Sequence, residues 1–201
     1  MSRWKMWISL AVLVLSLGVS ARASFAEEAP APAGVKGEAL QWIQDAETKL
    51  IQLAEATPES KYAWRPSKGV RSTGDVFLHV AAANYGIPTF WGVPAPEGFD
   101  FATYEKSLTK KADIVSALKA SFASMKQSLV SMSDADLEKP VEMFGMKSTV
   151  RGGYLLILSH AHEHLGQSIA YARSNEIVPP WSAKQEEAIK AVADKKKAEG
   201  K

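Results

Sequence analysis

Leu155-Leu-Ile-Leu-Ser-His160-Ala-His162-Glu-His164-Leu-Gly-Gln-Ser-Ile-Ala-Tyr-Ala-Arg173 is a mostly apolar run of helix-forming residues that carries three histidines within five positions. His160 and His164 are four apart, so on a helix they share one face about a turn from each other. That spacing lets two imidazoles grip one metal ion. His162, two positions from each, points away from that face. The fourth and last histidine, His79, lies in another apolar segment, Val76-Phe-Leu-His-Val-Ala-Ala-Ala83. Burying three imidazoles is costly unless something satisfies their ring nitrogens. A divalent ion such as zinc would take one nitrogen of each, leaving the other for backbone or carboxylate partners. His79, His160 and His164 are therefore the candidate ligands.

The rest of the chain reads as the scaffold that brings His79 to the pair. A helix is expected over about 38–56, with Leu40, Ile43, Leu50 and Leu53 at helical spacing, stopped by Thr57-Pro58. A loop with Tyr62 and Trp64 follows. Ser72-Thr-Gly-Asp75 has capping-box spacing and opens a second helix, apolar nearly all round and hence buried, which Pro88 ends or kinks near Trp91. A third helix is expected over about 111–132, with Ile114, Val115, Leu118, Phe122, Met125 and Leu129 as its core stripe. Residues 133–140 read as a short capped turn and 141–150, centred on Gly145, as a small hairpin or extended loop. Thr149 caps the fourth helix, and Pro179-Pro180-Trp181 closes the domain. Four long helices without a convincing strand set imply an all-α four-helix bundle.

At 201 residues and 46% hydrophobic, the chain is one domain's worth of protein with a full core. The absence of cysteine excludes disulfides, thiolate metal sites and cysteine nucleophiles. Residues 1–26 have the three-part pattern of a secretory signal peptide. Arg3 and Lys5 precede the apolar run 7–19, and small residues allow cleavage after Ala23 or Ala26. The run is too short to span a membrane, so no stable span is expected after cleavage and the mature protein is expected to be periplasmic or secreted. Of 24 basic and 22 acidic residues, the leader holds three basic and no acidic ones, so the mature chain counts 21 against 22, a net −1. Nothing in that balance points to nucleic acid. Residues 27–37 read as a flexible Pro/Ala/Gly linker, residues 38–182 as the bundle and residues 183–201 as a charged tail that is solubilising and at most a weak, fraying helix.

His160-Ala-His-Glu-His164 also fits H-x-x-E-H, the inverted zincin peptidase pattern, with Glu163 as base. That family draws a third ligand from a glutamate well downstream. Here only 37 residues follow His164, most of them charged tail. Adjacent positions on a helix are also about 100° apart, which aims Glu163 away from the ligand beside it.

The run His160-Ala-His-Glu-His164-Leu-Gly166-Gln167 resembles the DinB/YfiT-like superfamily, whose last bundle helix carries H-x-x-x-H followed by Gly-Gln. His79 matches the family's histidine in the second helix. Trp64-Arg-Pro66, Gly69-Val-Arg-Ser72 and Ile177-Val-Pro-Pro-Trp-Ser182 also look like the family, and the similarity covers about 38–182. The resemblance implies an up-down-down-up bundle, often dimeric, with three histidines on a zinc- or nickel-like ion. It also implies a small-molecule substrate: better-studied relatives are thiol-dependent transferases or isomerases, while many others have no assigned reaction. The leader sets this sequence apart from the family's cytoplasmic pattern. An exported metal-dependent transferase or hydrolase is one expectation, and a non-catalytic binding or stress-response module with a structural or absent metal is the other. Tyr85, six residues after His79, and Tyr171, seven after His164, lie near the ligand faces and with Asn84 and Gln167 are candidates for the cavity or for simple core or interface packing. Trp64, Trp91 and Trp181 are candidates for a pocket wall or for ordinary core.

Overall fold

A computed structural model of the chain describes residues 33–199. The leader expected over 1–26 and most of the linker lie outside the described residues. Four long helices form the domain: α1 (Gly34–Ala56), α2 (Thr73–Gly86), α3 (Lys111–Ser131) and, after a short helix α4 (Asp134–Leu137) and a two-stranded hairpin, α5 (Val150–Ser174). The hairpin pairs β1 (Pro140–Met143) with β2 (Met146–Thr149). A further helix, α6 (Pro180–Glu199), ends the described chain. None of the described helices is long and apolar enough to cross a membrane.

The local rules read from the sequence operate as expected at most boundaries. The Ser72 side chain accepts from the Asp75 backbone N–H at 3.2 Å while the Asp75 carboxylate accepts from the Ser72 N–H at 2.9 Å, a complete capping box. Ser133 and Asp136 repeat the device at α4. The Thr149 hydroxyl accepts from Gly152 N–H and starts α5. Pro88 falls in a 3-10 turn (Ile87–Trp91) that follows α2 directly. The hairpin turns on Phe144 and Gly145, both at positive φ, as a two-residue connection requires. Two boundaries differ. Helix α1 begins at Gly34 rather than near 38, its first turn tied down by Lys36 Nζ donating to the Met132 carbonyl. The tail is helical over Pro180–Glu199, with the described side chains past Ala183 exposed, and Trp181 packs on the core.

Helices α1 and α2 occupy opposite corners of the bundle, each packed against α3 and α5. Pairwise contacts fix the directions. Lys111, at the start of α3, donates to the carbonyls of Glu55 and Thr57 at the end of α1, so these two run antiparallel. Gly74 meets Ile114, and Asn84 bonds Ser121, so α2 and α3 run parallel. Val35 and Lys36 share a crevice with Arg151 and Leu155, and Trp42 meets His162, so α1 and α5 run parallel. The order is up-down-down-up. Because consecutive α1 and α2 are diagonal, the connection between them has to cross one end of the bundle. It is pinned there by the Tyr62 hydroxyl on the Ala54 carbonyl (2.7 Å) and by Gly74 N–H on the Tyr62 carbonyl (2.9 Å). Ile43, Leu50, Leu78, Leu118, Phe122 and Ile157 are fully buried at the centre.

Candidate metal centre

Helices α2 and α5 cross antiparallel with His79 facing His160 and His164. One ligand atom from each histidine can be chosen so that all lie within 4.8 Å of one another. His79 Nε2 and His160 Nε2 are 3.0 Å apart, close to the roughly 3.4 Å between two nitrogens at about 2.1 Å from a tetrahedral zinc. His164 is buried at 7% exposure, and His79 and His160 are partly buried.

The outward nitrogens decide which way the lone pairs face. Glu105, on a 3-10 turn (Tyr104–Lys106) between α2 and α3, accepts from His79 Nδ1 at 2.5 Å. The Gln167 amide oxygen, one turn after His164, accepts from His164 Nδ1 at 2.7 Å. A proton on each Nδ1 leaves each Nε2 as a lone pair, which is the form a metal takes. The support extends further. The Arg71 guanidinium grips Glu105 with two bonds of 2.7 and 2.9 Å. Gln167 Nε2 donates to the Tyr171 hydroxyl at 2.9 Å, and that hydroxyl donates to the Arg71 carbonyl at 3.3 Å. Two histidines on different helices are thus the ends of one hydrogen-bonded chain that passes through Arg71.

Electrostatics favour the uncharged forms of His160 and His79. Burial, with the neighbouring His164, His79 and Arg71 adding to it, pushes His160 down to about 3. Burial likewise lowers His79, with Arg71 and His164 adding to it, by more than Glu105 restores. Glu105 itself is raised by burial, but its bonds to Arg71 and His79 outweigh this and hold it below the usual carboxylate range. The result is a carboxylate accepting from neutral His79, not a salt bridge. Three imidazole nitrogens on two helices fit a divalent transition metal.

The remaining candidates separate. His162 turns to α1, its Nδ1 donating to the Leu158 carbonyl and its ring edge-on to Trp42. Glu163 is exposed, and the third histidine of the cluster comes from upstream α2, so the peptidase pattern has neither its base nor its ligand in place. Asn84 is buried on Ser121 and Tyr85 packs on Phe99 and Tyr104, so neither touches the histidines. Trp64 stands edge-on to Tyr171 at the margin of the site, whereas Trp91 packs on Tyr154. Glu105 was not foreseeable from periodicity. It lies in a non-periodic loop, and only that loop's length marked it as a place where a site could be built.

Fold and geometry together define a class: a four-helix bundle with a three-histidine cluster between two antiparallel helices. The model of the DinB superfamily matches residues 43–168, a span that includes all three histidines, and the chain belongs to that superfamily. Among solved structures, a DinB-like protein from Bacillus cereus ATCC 10987 is 16% identical, covering 72% of this chain and 95% of its own, with a TM-score of 0.63. The DinB-like protein YjoA of Bacillus subtilis is 18% identical over 70% of this chain and 93% of its own, with a TM-score of 0.57. YfiT from Bacillus subtilis, described as "a probable metal-dependent hydrolase with an unusual four-helix bundle topology", is 15% identical over 71% and 89%, with a TM-score of 0.58. At these identities the likeness is one of fold. No curated protein matches the sequence.

Proposed function

We propose that this protein is an exported metal-dependent enzyme, a hydrolase or transferase acting on a small molecule, with His79, His160 and His164 holding zinc or nickel. The convergence of three ligand atoms within 4.8 Å, two of them with their lone pairs aimed inward by Glu105 and Gln167, carries the reading. The description of YfiT as a probable metal-dependent hydrolase supports it. Imidazole donors without thiolates suit zinc, nickel and similar ions. Held by these three histidines, such an ion would supply Lewis acidity, lowering the pKa of a water or thiol bound to it.

The chain's own residues do the rest. Burial disfavours the charged forms of His79 and His160, and the bonds to Glu105 and Gln167 fix the tautomers of His79 and His164. The basic start, the apolar run over 7–19 and the small residues at 21–26 support export to the periplasm or beyond. Low-molecular-weight thiols are chiefly cytoplasmic, so water is the nucleophile an exported member is best placed to use. The family resemblance supports a homodimer, and the near-neutral mature charge gives nucleic acid no footing as a partner.

The test is to load the protein with zinc or nickel and screen small-molecule esters, amides and thiol acceptors. Turnover that chelation abolishes, that metal restores and that His164→Ala lacks is the expected result. Metal held without turnover, at a centre closed to exchangeable water, would make the protein a binding module with a structural ion.

A further inference from the structure

We infer that Glu105 is a positioning residue for His79, held in register by Arg71, and that this carboxylate sets how tightly the centre holds its metal. The inference deepens the reading above and rests on the three histidines being ligands. Three observations carry it. First, Glu105 takes the outward nitrogen of His79 at 2.5 Å, which fixes Nε2 as the inward lone pair and strengthens it as a donor. Second, the carboxylate is held on both oxygens by the planar Arg71 fork, a geometry a lysine would not reproduce. Third, its segment is anchored. Tyr104, the preceding residue, packs on Phe99 and Tyr85, and the Phe101 ring sits where a side chain at Gly86 would stand. The three histidines are not equivalent. His79 has an anionic partner, while His164 has a neutral amide. The Arg71 carbonyl also receives the Tyr171 hydroxyl, so the residue that orients the carboxylate also anchors the amide chain behind His164.

The experiment measures zinc affinity of the mature chain by competition with a chromophoric chelator, for the wild type and for Glu105→Gln, Glu105→Ala and Asp45→Asn. Asp45 provides the control, since its carboxylate stands 4.0 Å from Nε2 of His162, which is outside the cluster. Histidine 15N shifts of the metal-free proteins report the His79 tautomer, and their thermal unfolding reports the fold. Expected are one zinc per wild-type chain and binding about 10–100-fold weaker in both Glu105 variants. Glu105→Ala should also lose the fixed His79 Nδ1–H signature, while Asp45→Asn binds as the wild type does. Glu105→Gln is isosteric and keeps a bond to Arg71, so it answers the question even if Glu105→Ala does not fold. Wild-type affinity in a folded Glu105→Gln would overturn the positioning role alone. A wild type that takes up neither zinc nor nickel would overturn the ligand assignment and this inference with it.

Discussion

Replacing Gly166 by alanine and, separately, Gly153 by alanine asks the same helix one question at two places. Both glycines lie inside α5, where alanine is favoured over glycine by about 1 kcal/mol. A Cβ at Gly166 meets nothing within 4 Å, so the propensity gain should appear in full. At Gly153 the same atom would stand 2.4 and 2.7 Å from the Trp91 ring edge and 3.1 Å from Met143 Sδ. Trp91 packs on Tyr154 at 5.0 Å between ring centres, so moving its ring aside would break that contact. Overpacking of this kind costs about 1–3 kcal/mol. The propensity gain is common to both variants, so the overpacking cost is the expected difference between them. At about 2–4 °C per kcal/mol for a chain of this size, the melting temperatures should separate by roughly 2–12 °C, Gly166→Ala above wild type and Gly153→Ala lowest. Thermal unfolding followed by circular dichroism, with chelator present so that metal plays no part, measures this. Gly153→Ala melting at or above Gly166→Ala would refute the packing of the hairpin and the Trp91 turn on α5. A destabilised Gly166→Ala would mean that this face of α5 is covered, as a dimer would cover it.

In the metal-free protein His160 is held down to about 3, against about 6.5 when unfolded. Below pH 6.5 the unfolded chain therefore binds the extra proton first. The stability this group contributes is present above about 6.5 and is lost as pH falls toward 3. The metal-free melting temperature should drop between pH 7 and 5, less steeply in His160→Asn; equal slopes would contradict the burial argument. Gly86→Ala pushes a Cβ to 2.4 Å from the Phe101 ring and should loosen the segment that presents Glu105, weakening zinc binding severalfold in competition titrations although Gly86 touches no histidine. Asn84→Ala leaves the bundle without the buried Asn84–Ser121 bond and should cost about 1–3 kcal/mol in urea unfolding while leaving metal affinity unchanged.

The bundle was legible because its signals are local. The stripe from Ile114 to Leu129, the Ser72–Asp75 box and the Thr149 cap each act within a turn or two of helix, and each appears where the sequence places it. The inward pair was legible for the same reason, since four positions on a helix fix a shared face. The third member required a long-range pairing that helical spacing does not give; His79 stood out as the remaining histidine, in a second buried apolar segment, and the resemblance to the family agreed with it. Glu105 and Arg71 escaped because both lie in irregular chain, where no period relates a residue to its target. Asn84 and Tyr85 follow His79 by five and six residues, but α2 is buried nearly all round, and their faces meet α3 and the loop after α2. The early start of α1 also went unread. The Lys36–Met132 tie that holds its first turn joins residues 96 apart in sequence.

If three histidines on α2 and α5 share one metal ion, elemental analysis of the mature protein, purified without an affinity tag and run beside His79→Ala and His164→Ala, will find it. About one zinc or nickel ion per chain, lost in both variants, is the predicted result. Protein that carries no metal, and gains no thermal stability when zinc or nickel is added, would contradict it.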